Sequence, residues 1–136
     1  MKKLFLITAL VTQGMNVAPV RAQNYDGPVN RQEILLGTTD KLMKAISLPQ
    51  AIQIDRSAGR LTELIFVAID NYAQIDLIEV ELGNGEVIRQ GPMNLQQNDY
   101  FVMDLSHYGD YVRRVTITAQ TSNLFGSRAK IEIRGK

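Results

Sequence analysis

The sequence has no cysteine and only one histidine, His107. Without cysteine no disulfide can form, and a zinc site built from cysteine and histidine would have too few ligands. No glycine-rich phosphate loop is present, since Gly83 and Gly85 precede a strand pattern and not a helix. These absences exclude a disulfide scaffold, an ordinary zinc centre and the common nucleotide-binding motifs, and they leave no predicted cofactor.

The N-terminus has the pattern of a secretory signal peptide. Met1-Lys2-Lys3 is a short positive region, and Leu4 to Val11 is an apolar region that would span about 12 Å as a helix, too short for a hydrocarbon core of about 30 Å. Val20-Arg21-Ala22 offers aliphatic and small residues at the −3 and −1 positions of a cleavage site. We expect cleavage between Ala22 and Gln23 and a periplasmic or secreted product. No cysteine is available for a lipid anchor, and no membrane insertion is expected after processing.

The charge balance changes when this segment is removed. The full sequence has 15 Lys and Arg against 14 Asp and Glu, a net charge of +1. Lys2, Lys3 and Arg21 lie in the segment expected to be removed, so 12 basic residues remain against 14 acidic ones and the net charge becomes −2. Such a chain has no general attraction to nucleic acid or to anionic lipid. We expect a signal peptide over residues 1–22, a flexible leader over 23–33 and a single domain over 34–136.

Beyond residue 34 the hydrophobic residues recur with a period of two, which indicates β-strands. In Leu77 to Leu82, Val112 to Ala119 and Ala129 to Arg134, aliphatic residues alternate with polar ones, as in strands with one solvated face. Leu61 to Ile69 is apolar at every position after Leu64, which predicts a central strand covered on both faces. Asn84-Gly85 then predicts a hairpin with a type I′ turn.

About eight strands at this spacing predict an all-β domain, an antiparallel β-sandwich with a jelly-roll-like arrangement. Thr39 to Ile46, followed by Pro49, predicts one short helix. The remaining predicted strands are Ile34 to Gly37, Ile52 to Ile54, Glu86 to Arg89 and Tyr100 to Leu105.

The order of these motifs resembles a family of small exported bacterial β-sandwich proteins of unknown function. The resemblance covers roughly residues 34–135 and departs from the family pattern at Ser106 to Tyr111, where glycine-rich sequence with arginine is common. It implies a single sandwich domain behind a signal peptide, and it implies no activity. The matching motifs are Leu35-Leu36-Gly37, Ile52-x-Ile54, Gly59-Arg60-Leu61, Val80 followed by Asn84-Gly85-Glu86, Asp104-Leu105, Arg114-Val115-Thr116-Ile117 and Ala129-x-Ile131-x-Ile133-x-Gly135.

The densest cluster of chemically active residues runs from Asp104 to Arg114. Aromatic rings beside arginine and aspartate suit a sugar or a peptide, so we predict a ligand-binding loop. A nucleophilic set built on Ser106 is disfavoured, because successive strand residues face opposite ways and no nucleophile elbow surrounds this serine. The candidate ligand-binding residues are Asp104, His107, Tyr108, Asp110, Tyr111 and Arg113.

A second loop, Asn71 to Ile75, is predicted to share the contact surface with Ser106 to Tyr111, because rigid sandwiches carry function on their loops. Calcium binding by Asp70, Asn71 and Asp76 stays open, although the loop lacks the acidic spacing of an EF-hand.

The leading hypothesis is a non-enzymatic periplasmic binding or interaction module whose partner is an envelope glycan, peptide or protein. The first alternative is a hydrolase acting on envelope glycans or peptides, with carboxylates assembled from separate strands. The second is an envelope structural or stress protein that pairs through an exposed sheet edge.

Overall fold

A computed structural model describes residues 33–121 and 126–136 of the chain. The predicted signal peptide, its cleavage site at Ala22-Gln23 and nearly all of the leader lie outside the described residues. Within the described part the chain forms nine strands, one 3-10 turn at Arg56–Ala58, and no α-helix. The strands are β1 (Ile34–Thr38), β2 (Leu48–Gln53), β3 (Glu63–Ile69), β4 (Ala73–Leu82), β5 (Val87–Gln90), β6 (Met93–Leu95), β7 (Tyr100–Asp104), β8 (Val112–Gln120) and β9 (Lys130–Gly135).

The strands form two antiparallel sheets. The first sheet has the order β1-β9-β3-β7, and the second has the order β2-β8-β4-β5, with β6 also paired to β4. Residues on the inner faces of both sheets belong to one buried cluster, to which Phe66, Ile131 and Ile133 contribute from the first sheet and Ile78 and Ile117 from the second. The all-β prediction is therefore confirmed, as two layers that share a hydrophobic core.

The predicted alternation of side chains is confirmed strand by strand. In β4 the residues Ile78, Val80 and Leu82 are buried, and in β8 so are Val115, Ile117 and Ala119. Glu79, Glu81 and Thr116, which alternate with them, are only partly covered. In β3 the five residues from Leu64 to Ala68 are all buried, and the strand lies between β9 and β7 in its sheet. Sequence periodicity thus identified both the half-solvated strands and the central one.

The predicted helix over Thr39 to Ile46 is wrong. This segment bonds to other strands instead of to itself: the Leu42 N–H donates to the Ala129 carbonyl at 2.8 Å, and the Met43 carbonyl accepts from the Thr121 N–H at 2.9 Å. Ala45 has φ 63, a value that a right-handed helix does not allow. The apolar spacing that suggested a helix instead buries Leu42 in the core.

The hairpin at Asn84-Gly85 is confirmed, but its predicted turn type is wrong. A type I′ turn needs positive φ at both central residues, and of this pair only Gly85 has it, at 92°. The Gly85 N–H donates to the Leu82 carbonyl at 3.0 Å, and the Leu82 N–H donates to the Glu86 carbonyl at 2.8 Å. The loop therefore has three residues and ends in a left-handed glycine, the second common hairpin form.

Other strands also differ from the prediction, and β2, predicted from Ile52, begins at Leu48. β6 was not predicted, since a strand of three residues is too short to show a period. β4 begins at Ala73, so most of the predicted loop Asn71 to Ile75 is strand. Only residues 70–72 connect β3 to β4.

Candidate functional site

Three connections meet at one end of the two-sheet domain, and we call this end the loop end. They are the 3-10 turn that follows β2 (residues 55–58), the β4–β5 hairpin (83–86) and the β7–β8 connection (105–111). They meet because β2, β8 and β4 are neighbours in register, with Gln53 opposite Arg114 and Leu82 opposite Val112. The β7–β8 connection reaches this point by crossing from the first sheet to the second.

Tyr111 lies at the centre of the loop end. The guanidinium carbon of Arg56 lies 4.7 Å from the centre of its ring, which is a cation–π contact. The Tyr111 carbonyl accepts from the Gly83 N–H at 2.9 Å. A Cβ added at Gly83 would lie 2.3 Å from the Tyr111 ring, so the ring and the hairpin tip are in contact through a position that only glycine fits.

Arg113 bonds to the same hairpin, and Asp110 bonds to the backbone of Tyr111. Arg113 donates to the Gly83 carbonyl at 2.8 Å and to the Glu81 carboxylate at 3.1 Å. The Asp110 carboxylate accepts from the Tyr111 N–H at 2.8 Å. Three of the predicted site residues, Asp110, Tyr111 and Arg113, are therefore brought together.

Asp104, His107 and Tyr108 occupy the other half of the β7–β8 connection. The Asp104 carboxylate accepts from the Ser106 N–H at 2.8 Å, and this hydrogen bond, helped by the Ser106 side chain and the charge of His107, lowers the pKa of Asp104. His107 is exposed, whereas Tyr108 packs against the core. The Asp104 carboxylate thus binds the backbone of the turn that follows it.

Sequence reasoning missed a polar depression on the outer face of the second sheet, beside the loop end. It has a volume of about 100 Å³. Arg89 pairs with Glu79 at 3.1 Å, and Arg114 pairs with Glu81. The alternation had placed both glutamates on the solvated face, but which strands flank them was not visible in the sequence. The lining residues are Glu79, Glu81, Val87, Arg89, Arg114 and Thr116.

The second predicted loop lies at the opposite end of the domain. β3 begins beside Leu105 and ends at Ile69, so the connection at residues 70–72 is about 20 Å away along a seven-residue strand. Asn71 is buried, and its amide donates to the Ser127 carbonyl at 2.6 Å. The prediction that Asn71 to Ile75 and Ser106 to Tyr111 share one contact surface is therefore wrong. β3 runs away from the loop end and its antiparallel neighbour β7 runs toward it, so the connections that follow these two strands lie at opposite ends of the domain.

Two of the predicted calcium ligands already have a place within the protein: Asp70 in an ion pair and Asp76 in a strand. Asp70 pairs with Lys130 at 3.9 Å, and Asp76 lies in the bulge of β4 where its pairing with β8 shifts. Across residues 33–121 and 126–136, no three histidine, aspartate or glutamate side chains gather as a metal site requires.

The described residues form a two-sheet, all-β domain whose loop end has both acidic and basic side chains. No helix among the described residues has the length and apolar character needed to cross a membrane. Comparison with known proteins found no family model, no curated protein and no solved structure that matches the chain.

Proposed function

We propose that the protein is an exported, non-enzymatic binding or interaction module with a jelly-roll sandwich fold. Its signal peptide would be removed between Ala22 and Gln23, and the processed chain would reside in the periplasm or be secreted. The resemblance to small exported proteins remains a prediction that agrees with this proposal. Its ligand would be an envelope glycan, peptide or protein that binds at the loop end.

The strand order supports the jelly-roll arrangement. The chain passes back and forth between the two sheets, with β1, β3, β7 and β9 in one and β2, β4, β5, β6 and β8 in the other. Each sheet thus mixes strands from the two halves of the chain, as a folded-over pair of Greek keys does. This fold recurs in lectins and capsid proteins, but that likeness is an analogy of fold and assigns no ligand.

The observation that carries the binding proposal is the fixed arrangement of Arg56, Tyr111 and Arg113 around the tip of the β4–β5 hairpin. Hydrogen bonds and a cation–π contact already hold these side chains in place in the free protein. A rim that is rigid before binding spends little conformational entropy on the complex. The exposed imidazole of His107 lies in the same connection and adds a ring whose nitrogens can form hydrogen bonds.

The charge pairing supports a binding role over a hydrolytic one. Glu79 and Glu81 lie on one strand, and an arginine holds each of them. Both carboxylates are therefore already engaged in ion pairs within the protein itself.

Thermal unfolding with candidate ligands tests the proposal. Soluble peptidoglycan fragments, cell-wall peptides and envelope polysaccharides would each be added to the purified protein. A ligand present at 100 times its Kd stabilises the fold by about 2.7 kcal/mol, which is a clear shift in Tm. We expect His107→Ala and Arg113→Gln to reduce that shift.

Tyr72→Ala is the matched control, since Tyr72 is a half-buried tyrosine at the opposite end of the domain. A ligand-induced shift that both loop-end variants leave intact would place the binding surface elsewhere. Turnover of a cell-wall polymer, lost on replacing Glu79 or Glu81 with glutamine, would establish the hydrolase instead. Intact-mass measurement of protein recovered from the periplasm tests export separately, and an N-terminus other than Gln23 would move the proposed cleavage site.

A further inference from the structure

The β1–β2 connection carries an exposed apolar patch at the end of the domain opposite the loop end. Met43, Ile46 and Leu48 are 41%, 51% and 44% exposed, and we call these three residues the apolar tip. The backbones of Met43 and Leu48 lie beside neighbouring residues of one segment, because the Met43 carbonyl accepts from the Thr121 N–H and Leu48 pairs with Ala119. The chain bends between Met43 and Leu48 at Ala45, whose φ of 63 is rare for a residue other than glycine.

Basic residues lie next to Met43, in sequence and in space. Lys41 and Lys44 flank Met43 in sequence, and Lys41 is exposed. From the connection between β8 and β9, the Arg128 guanidinium lies against the Met43 sulfur, with its Nη1 at 3.4 Å. Asp40 is the one acidic residue between positions 39 and 48. The segment 39–48 together with Arg128 therefore has three positive charges against one negative charge, and Asp70, which lies at the same end of the domain, pairs with Lys130. The processed chain as a whole is expected to be slightly acidic.

We propose that the apolar tip docks on the surface of an anionic phospholipid bilayer. Apolar side chains ringed by lysine and arginine match the two layers of such a surface, because the side chains enter the acyl boundary while the basic groups meet lipid phosphates. The contact is peripheral and needs no membrane-spanning segment. It would leave the loop end facing away from the membrane, free to bind the ligand of the proposed function, but it does not depend on that function.

The other exposed apolar residues of the described chain lack this charge pattern. Ile34 and Leu35 lie on the edge strand β1, whose five residues include no charged group. Val87 and Val102 are separate positions on different sheets. Charge complementarity to an anionic surface therefore selects the apolar tip as the docking surface.

Vesicle binding with a tryptophan reporter tests the proposal, and the absence of tryptophan from the chain makes the reporter unique. Ile46→Trp would be mixed with vesicles of phosphatidylglycerol and phosphatidylcholine, and separately with vesicles of phosphatidylcholine alone. We expect a blue shift and co-sedimentation with the anionic vesicles, weakened by salt. Val102→Trp, in the first sheet, is the control, and its fluorescence should not shift.

Two paired variants separate the charge from the apolar contact. Each basic residue near an anionic surface contributes a factor of about fivefold to binding, so Lys41→Gln with Arg128→Gln should lower the partition coefficient roughly 25-fold. Arg60→Gln with Arg89→Gln, at other places on the surface, is the matched control and should leave it within about twofold of the unchanged protein. Met43→Ser with Ile46→Ser should reduce binding by at least about tenfold, because it removes the apolar anchors.

All variants would be compared as protein with the same N-terminus. The apolar segment near the N-terminus would then contribute equally to vesicle binding in every variant, or be absent from all of them. Equal binding by the control and tip variants would overturn the proposal. So would the absence of a blue shift at residue 46. Concentration-dependent dimerisation in solution that Met43→Ser with Ile46→Ser abolishes would also overturn it, by assigning the apolar tip to a second copy of the chain.

Discussion

Replacing Gly83 with alanine would test whether the hairpin tip and the β7–β8 connection form one rigid unit. The added Cβ would lie 2.3 Å from the Tyr111 ring, where ordinary contact begins at 3.4 Å. The backbone is not the obstacle, since Gly83 is not among the glycines with positive φ. The ring or the hairpin must therefore move by about an ångström, and overpacking of this kind costs about 1–3 kcal/mol.

Two further effects of Gly83→Ala change the free energy of unfolding. Displacing the ring weakens its contact with Arg56, at about 0.5–1 kcal/mol. Alanine also restricts the unfolded chain, which returns about 0.4–1 kcal/mol. The net loss should be about 1–3 kcal/mol in the free energy of unfolding. Urea titration at equilibrium measures it directly, and each kcal/mol should lower the Tm of a domain of this size by roughly 4–8 °C.

Gly109→Ala is the matched control. Gly109 lies in the same connection, has no atom within 4 Å of its added Cβ and does not have positive φ. Its replacement should be neutral or stabilise by up to about 1 kcal/mol. A double-mutant cycle with Tyr111→Ala should remove most of the cost of Gly83→Ala. Equal stability of the Gly83→Ala and Gly109→Ala proteins would refute the contact between the tyrosine and the hairpin tip.

Three further outcomes are expected. Because its hydrogen bond to the Ser106 backbone lowers the pKa of Asp104 below the ordinary 3.8, Asp104→Asn should destabilise the fold at neutral pH, by a margin that shrinks as pH falls through the folded-state pKa. Burial raises the pKa of Asp99, so Asp99→Asn should be more stable than the unchanged protein at neutral pH and should lose that advantage once acid protonates the native carboxyl. Urea titration across the acidic range measures the stability difference of each aspartate variant from the unchanged protein. If the two differences changed with pH in the same direction, the assignment would be contradicted. In the core, Ile117→Val should cost about 0.5–1.5 kcal/mol and the exposed Val87→Ala less than about 0.5 kcal/mol, so equal costs would be inconsistent with the burial pattern.

Most strand positions followed from the sequence alone. Successive side chains of a strand point to opposite faces, so the alternation of isoleucine with glutamate in β4 reports burial without reference to any partner. The same reasoning identified β3 as central, because a continuous apolar run needs cover on both faces. Each of these inferences depends on neighbours in sequence, which is why the sequence was sufficient.

Local pattern was insufficient where distant parts of the chain competed for the same groups. Leu42 has helical spacing from its apolar neighbours, yet its N–H bonds to Ala129 in a distant connection. Asn84 could enter a type I′ turn, but Gly83 is held by Tyr111 and the turn takes another form. In both places a long-range hydrogen bond outweighed a local propensity of a few tenths to about one kcal/mol.

The candidate site likewise depends partly on the sequence alone and partly on the tertiary structure. The sequence determined that Asp110, Tyr111 and Arg113 would lie in a loop and at a strand start, with their chemistry close together. Only the tertiary structure decided that Arg56 stacks on that tyrosine and Glu81 binds that arginine, since both contacts depend on which strands are neighbours. Strand order also places the connection at residues 70–72 at the end of the domain opposite the loop end. Strand pairing is selected by packing across the whole core and not by the residues of any one strand.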